Sequence, residues 1–188
     1  MLLSSPGYTG SGLLHSALST GLMFHRVNGS STTRILSQGK QFDSDTVYLS
    51  PQPINYIPFK AVNLCVLLRD PRQLCIAAAG DNEEEGSFES RLQTLLIQGG
   101  PDPEWNRSYL EHYCHISHWR FNYEELLESP MPIYRFLNRY GYAYHAELVR
   151  QEYYKSFYGI TGHNHLTPEQ DAEFCDSHYE LMKCWGYL

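Results

Sequence analysis

From Ala61 to Leu68 the chain is apolar except for Asn63, and the run stops abruptly at Arg69-Asp70-Pro71. A short, near-continuous apolar run of this kind is a strand covered on both faces, as in the middle of a parallel sheet. A membrane helix would need about 20 such residues. Asp70 and Pro71 then open a helix, because a carboxylate accepts from the orphan N–H groups of a first turn and proline at the first helical position loses no hydrogen bond. That helix is expected to run to about Ala79 and stop at Gly80.

The N-terminus repeats the arrangement. A short apolar start, Met1 to Leu3, meets a turn rich in glycine and serine through Gly12, and apolar residues at 13, 14, 17, 18 and 22 then mark one face of a helix. Thr46 to Leu49 reads as a second short strand ending before Pro51, and the Ser/Thr/Gly-rich stretch Asn28 to Asp45 reads as a loop. Further helices are expected over 88–98, from Asp102-Pro103, over 132–140 and over 145–154, with Ile116 to Phe121 as a strand. Asp81 to Glu85 reads as a solvated acidic turn. Thr167-Pro168-Glu169-Gln170 gives the last helix a cap, a proline and a capping-box glutamine. Strands alternating with helices imply an α/β fold with a short, mainly parallel sheet flanked by helices, in one domain spanning 1–188.

The balance of 14 Lys+Arg against 21 Asp+Glu, a net charge of −7, excludes a general nucleic-acid binder. Any polyanion must be held locally. The start Met1-Leu2-Leu3 has no basic region or signal-like core, no run is long enough for a membrane span, and the five cysteines lie far apart with no CxxC pair. A soluble, cytoplasmic chain in a reducing compartment is the expectation.

Two features carry chemistry. The turn from strand to helix points backbone N–H groups and a positive helix end at an anion. Yet Gly12 is followed by Leu13-Leu14 where a P-loop needs Lys and Ser/Thr, so magnesium-dependent phosphoryl transfer, as in a nucleotide kinase, is not expected. A plain tight connection is the competing reading. The second feature is Arg69, at the carboxyl end of the central strand, where open α/β sheets bind ligands and a guanidinium can fork onto a phosphate. Its competing role is an ion pair.

With these two features in this order, the chain resembles the sulfotransferases, which move a sulfuryl group from 3′-phosphoadenosine 5′-phosphosulfate (PAPS) to an acceptor. Pro6 to Leu14 is similar to the loop that cradles the 5′-phosphosulfate, and Val66 to Arg72 to the strand and helix start that bind the 3′-phosphate. Phe121 to Pro130 resembles the family's tyrosine-acid-acid-leucine segment, Gly159 to Thr167 its late glycine loop, and Met182 to Tyr187 its final helix. The resemblance implies a three-layer, P-loop-like fold that needs no metal. It implies a cofactor site for PAPS, or its product 3′-phosphoadenosine 5′-phosphate (PAP), at Tyr8, Thr9, Gly10, Ser11, Gly12, Leu13, Arg69 and Gly159.

Several positions depart from the family's pattern. Gly7-Tyr8 stands where the loop carries a cation, Ala77 where a serine binds the 3′-phosphate, and Phe157-Tyr158-Gly159 where many members have Arg-Lys-Gly, leaving Lys155 as the nearest positive side chain. The strand at 46–50 offers no histidine or carboxylate as base. His15 and His25 are the catalytic candidates, each weighed against a structural histidine. His112, His115 and His118 are spaced by three, but a strand at 116–121 would turn the last two to opposite sides, so no zinc site is expected. His163-Asn164-His165 reads as a helix lead-in. Two readings follow: a PAPS-dependent sulfotransferase acting on a hydroxyl or amine of an acceptor the sequence does not identify, and an inactive sulfotransferase-fold subunit of an oligomer or larger assembly.

Overall fold

The computed structural model describes residues 1–51, 63–81, 86–157 and 165–188. Five strands, β1 (Leu2–Ser4), β2 (His25–Asn28), β3 (Thr46–Ser50), β4 (Leu64–Leu68) and β5 (Trp119–Asn122), form a sheet of order β2-β3-β1-β4-β5 in which every pairing is parallel. In register, Leu2 lies beside Tyr48 on one side and Leu64 on the other.

Both faces of this sheet are covered, which is why β4 is apolar throughout. Cys65 and Leu67 point to one face with Leu3, Val47 and Phe121, whereas Leu64, Val66 and Leu68 point to the other with Leu2 and Tyr48. On the first face lie α1 (Ser11–Leu22), α6 (Tyr123–Glu128), α7 (Met131–Arg139) and α8 (Ala146–Phe157), through Leu14, Leu18, Leu126, Phe136 and Val149. On the second lie α3 (Pro71–Asp81), α5 (Pro103–His112) and α10 (Tyr179–Trp185), through Leu74, Trp105, Tyr109 and Trp185. A satellite cluster joins α3 to α4 (Phe88–Gln98) and α9 (Pro168–Ser177) through Ile76, Leu92, Leu96 and Phe174. The result is the three-layer α/β arrangement expected from the sequence.

Helix α1 packs along α8. Gly21 makes it possible: a Cβ there would stand 2.2 Å from Val149 Cγ2. Around it, Ser16 Oγ donates to Glu152 Oε1 at 2.6 Å and the His145 amide to Gly21 O at 2.9 Å.

Four expectations are corrected. The stretch 28–45 is not all loop, because α2 (Ser30–Ser37) forms there; its Ser/Thr-rich sequence has weak helix propensity, but Thr32 is fully buried and Ile35 packs on the core. The helix from Pro71 runs through Gly80 to Asp81. The final helix is two, interrupted at His178, whose Nε2 lies 2.8 Å from Leu96 O. Finally, Cys114 and Cys184 form a disulfide, with Cα atoms 6.8 Å apart across 70 residues of sequence, at odds with the reducing compartment expected from the cysteine pattern. Cys65, Cys75 and Cys175 are free thiols.

Among the described residues, no helix is long and apolar enough to cross a membrane, and no three metal-ligating side chains converge. His115 lies in a 3₁₀ turn, Tyr113–His115; His118 spends Nδ1 on Ile116 O at 2.8 Å and Nε2 on Tyr109 Oη at 3.2 Å.

Candidate functional site

β1 and β4 are neighbours, yet the chain leaves β1 for α1 on one face and β4 for α3 on the other. Such a switch point opens a crevice outside the carboxyl ends of the two strands. Residues 5–10 form one lip and Arg69 to Arg72 the other.

The first lip is fixed from within. Ser5 Oγ donates to Leu67 O at 3.0 Å and its amide to Ser50 O at 3.2 Å, binding the bend to both flanking strands. The Thr9 hydroxyl sits against Ser5 Oγ and 3.0 Å from Pro6 O, and both side chains are fully buried. Thr9 therefore braces the bend from inside and has no free hydroxyl to offer a ligand. Tyr8 adopts φ +63°, a conformation that is costly for a bulky residue and is found where the surrounding structure enforces it. Burial pushes its phenol pKa up, and the nearby Asp81 carboxylate adds to the rise.

Gly10 follows with φ +76°, and a Cβ there would meet the Tyr123 ring at 2.8 Å, so the position demands glycine. Leu13 and Leu14 donate back to Gly10 O, and no side chain caps the first turn of α1. The helix starts at Ser11, so the N–H groups of Ser11 and Gly12 have no intrahelical acceptor and face the crevice mouth with the positive helix end. The side chain of Leu13 turns inward and packs against the core.

Across the opening, Arg69 Nη1 donates to Tyr8 O at 3.0 Å, and its guanidinium lies 4.6 Å from the centre of the Tyr123 ring. Arg69 has no carboxylate partner among the described residues. Tyr123 thus supports both lips: its ring lies under Gly10 and under Arg69. Its own pKa is raised, mainly by burial, with Glu124 adding and Arg69 opposing. The motif around Tyr123 was legible in sequence, but its support of Arg69 depends on a β5–α6 corner folding back across the sheet edge.

Arg72 is bound very differently. Nε and Nη2 grip the Asp70 carboxylate, Nη2 to Oδ2 at 2.6 Å, and Nη1 reaches Asp171 Oδ1 at 2.8 Å. The hydrogen bonds to Asp70 are the main cause of a further rise in its pKa. The Asp70 amide donates to Glu124 Oε1 at 3.0 Å, and the other oxygen of Glu124 accepts from Tyr187 at 2.6 Å. Burial, then the Glu124 charge, pushes the Tyr187 phenol far up. Asp70, Arg72, Gln73, His165 and Asp171 line an open pocket beside this turn. Asp171, in the first turn of α9, is a site residue the sequence did not reveal, because 99 residues separate it from Arg72.

Neither candidate base reaches the crevice. His15 is buried between α1 and the sheet, with Nε2 2.8 Å from Val47 O; burial lowers its pKa, the Val47 bond opposes and Arg26 adds to the lowering. His25 begins β2 and lies beside Thr46, at the edge of the parallel sheet opposite the bend. Lys155 is highly exposed and pairs with Glu152 on its own helix at 3.6 Å. Gly159 lies outside the described residues, as does most of the late glycine loop.

Among solved structures, the chain is similar to mouse sulfotransferase SULT7A1 complexed with PAP, with a TM-score of 0.70 and 14% sequence identity over 97% of this chain and 83% of that one. The fold is sulfotransferase-like. At that identity the likeness is one of fold. No protein-family model and no curated protein matches the chain. Within this fold, three of the segments singled out in the sequence, around residues 6–14, 66–72 and 121–128, meet at the crevice.

Proposed function

We propose that the crevice holds the 5′-phosphate end of an adenosine nucleotide, and that the chain acts as a nucleotide-binding protein on a sulfotransferase scaffold. The observation that carries this reading is Arg69, a guanidinium without a carboxylate partner among the described residues, held by Tyr8 O and the Tyr123 ring beside the uncapped start of α1. One positioned cation and a set of oriented amides suit one phosphate or sulfate group. The amides of Ser11 and Gly12 bind it and Arg69 orients it. Gly10 and Tyr123 keep the two lips in register.

A second reading is PAPS-dependent sulfuryl transfer to a hydroxyl or amine, favoured by the likeness to a sulfotransferase complexed with PAP. The residues here do not fit that donor throughout. Ala77 supplies no hydroxyl, Arg72 is committed to Asp70 and Asp171, and Lys155 to Glu152. His15 is fixed on Val47 O, and His25 lies at the far edge of the sheet. Neither histidine stands where it could take an acceptor's proton, and a subunit role in an assembly is the reading that goes with that arrangement.

Calorimetric titration with adenosine 5′-phosphate and with PAP tests the binding reading. Wild type is expected to bind one of them, and Arg69→Ala to lose about 1.5–3 kcal/mol, roughly ten- to a hundredfold in affinity. Absence of heat with both nucleotides at millimolar concentration refutes it. Light scattering in parallel separates a nucleotide-binding monomer from a nucleotide-blind oligomer.

A further inference from the structure

We infer that Cys114–Cys184 is a thiol–disulfide exchange site that a dithiol opens in the folded protein, and that its state sets how firmly residues 184–188 hold the β4–α3 lip of the crevice. The inference holds whatever the crevice binds.

The bond stands where a reductant can reach it. Cys114 lies in the 3₁₀ turn Tyr113–His115 and is exposed, whereas Cys184, in the last turn of α10, is half-buried against the core. Exposed disulfides are the labile and regulatory ones, because exchange needs a thiolate to approach a sulfur. The thiolate of a dithiol attacks Cys114 Sγ, forming a mixed disulfide and releasing Cys184 as a thiolate that takes up a proton. The second thiol of the reagent, deprotonated, then closes on the first, freeing Cys114 and leaving the reagent as a cyclic disulfide. Two electrons pass from the dithiol to the protein, and both cysteines end as thiols.

What the bond holds in place is the last turn of α10 and the residues after it. α10 has seven residues, too few to keep a helix without tertiary support. Beyond Cys184, the Gly186 and Tyr187 amides donate within the helix, to Lys183 O at 3.1 Å and Met182 O at 2.9 Å. Ties to other elements are made by Arg120 Nη1, which donates to Cys184 O at 3.4 Å, and by Tyr187 Oη, which donates to Glu124 Oε2 at 2.6 Å. Glu124 Oε1 in turn accepts the Asp70 amide at 3.0 Å, so Tyr187 braces the carboxylate that braces the lip. Trp185 stays docked without the bond, because its buried ring packs edge-on against Trp105 and Tyr109. Reduction therefore loosens residues 184–188 rather than unfolding the chain: Tyr187 and Glu124 lose a fixed position, and the Asp70 amide gains motion.

The test treats the full chain with dithiothreitol under native conditions, reads the thiols by alkylation and mass spectrometry, and follows backbone order by NMR relaxation. Cys114 and Cys184 are expected to become alkylated while the far-ultraviolet circular dichroism stays as it was, at a rate that does not change with urea below the unfolding transition. The order parameter of the Asp70 amide is expected to fall from about 0.85, the value of rigid backbone, towards about 0.6, with that of Leu67 in the buried strand unchanged. Tyr187→Phe, with the bond intact, is expected to lower the Asp70 value in the same way, since it removes the donor without touching the sulfurs. Opening that speeds up with urea, or a chain that unfolds when reduced, overturns the exchange site. An Asp70 order parameter that is unchanged in either the reduced chain or Tyr187→Phe overturns the link to the lip.

Discussion

Replacing Gly21 by alanine tests whether the α1–α8 seam is as tight as the structure makes it. In an exposed helix the change would stabilise by about 1 kcal/mol, because glycine is the poorer helix former. Here the new Cβ meets Val149 Cγ2 at 2.2 Å and Val149 Cβ at 3.4 Å. Val149 is fully buried and β-branched, with one strongly favoured rotamer in a helix, so its methyl cannot swing aside freely. Overpacking of this kind costs about 1–3 kcal/mol, for a net loss of up to about 2 kcal/mol once propensity is set against it. Val149→Ala alone leaves a cavity and costs about 2 kcal/mol. Together the two changes remove the clashing Cγ2 methyl as the new Cβ arrives, leaving the two Cβ atoms at the 3.4 Å already given, and the pair should be more stable than the sum of the single losses by at least about 1 kcal/mol. Urea unfolding of the four proteins, followed by circular dichroism, measures this coupling. Additivity within about 0.5 kcal/mol, or a Gly21→Ala variant more stable than wild type, would refute the seam as drawn.

Two further outcomes are expected. Breaking Cys114–Cys184, by reduction or by Cys114→Ser with Cys184→Ser, releases a loop of 70 residues and should lower stability by about 4 kcal/mol in urea melts; without reductant the denatured chain should show only three titratable thiols, and five would contradict the bond. Acid should weaken the fold through His15. Its folded pKa lies below the unfolded value of about 6.5, so the unfolded chain binds more protons, and stability complete above that pH is lost as pH falls through it towards the folded pKa. His118 shifts the same way, so a His15→Gln variant should show a shallower loss of urea midpoint between neutral and mildly acidic pH, and an unchanged slope would show that His15 is not its source.

What the sequence disclosed depended on how local the cause was. Residues 64–68 announce a doubly covered strand because both alternating faces are apolar, and Asp70-Pro71 and Thr167-Pro168 announce helix starts through bonds made within a few residues. Arg69 was legible for the same reason, standing where a buried strand ends. The helix at 30–37 was not legible, because Ser and Thr there are held by burial of Thr32 and Ile35 rather than by propensity. Nor could spacing reveal the commitment of Arg72 to Asp171 or of Cys114 to Cys184, partners 99 and 70 residues apart that only the folded layers bring together. His15 shows the converse: a histidine one turn into the first helix suggests chemistry until the strand behind it supplies the Val47 carbonyl that occupies it.

The strand order has a consequence for how the molecule is made. β1 is translated first, but its two neighbours are β3 and β4, so Leu2 and Leu3 have no sheet to join until residues 46–50 and 64–68 have left the ribosome. Contacts so distant along the chain form slowly, and the β1 segment must spend that interval with apolar side chains uncovered. The Ser5 bond to Leu67 O closes no earlier, so the bend that faces the crevice acquires its shape only once the central strand has docked.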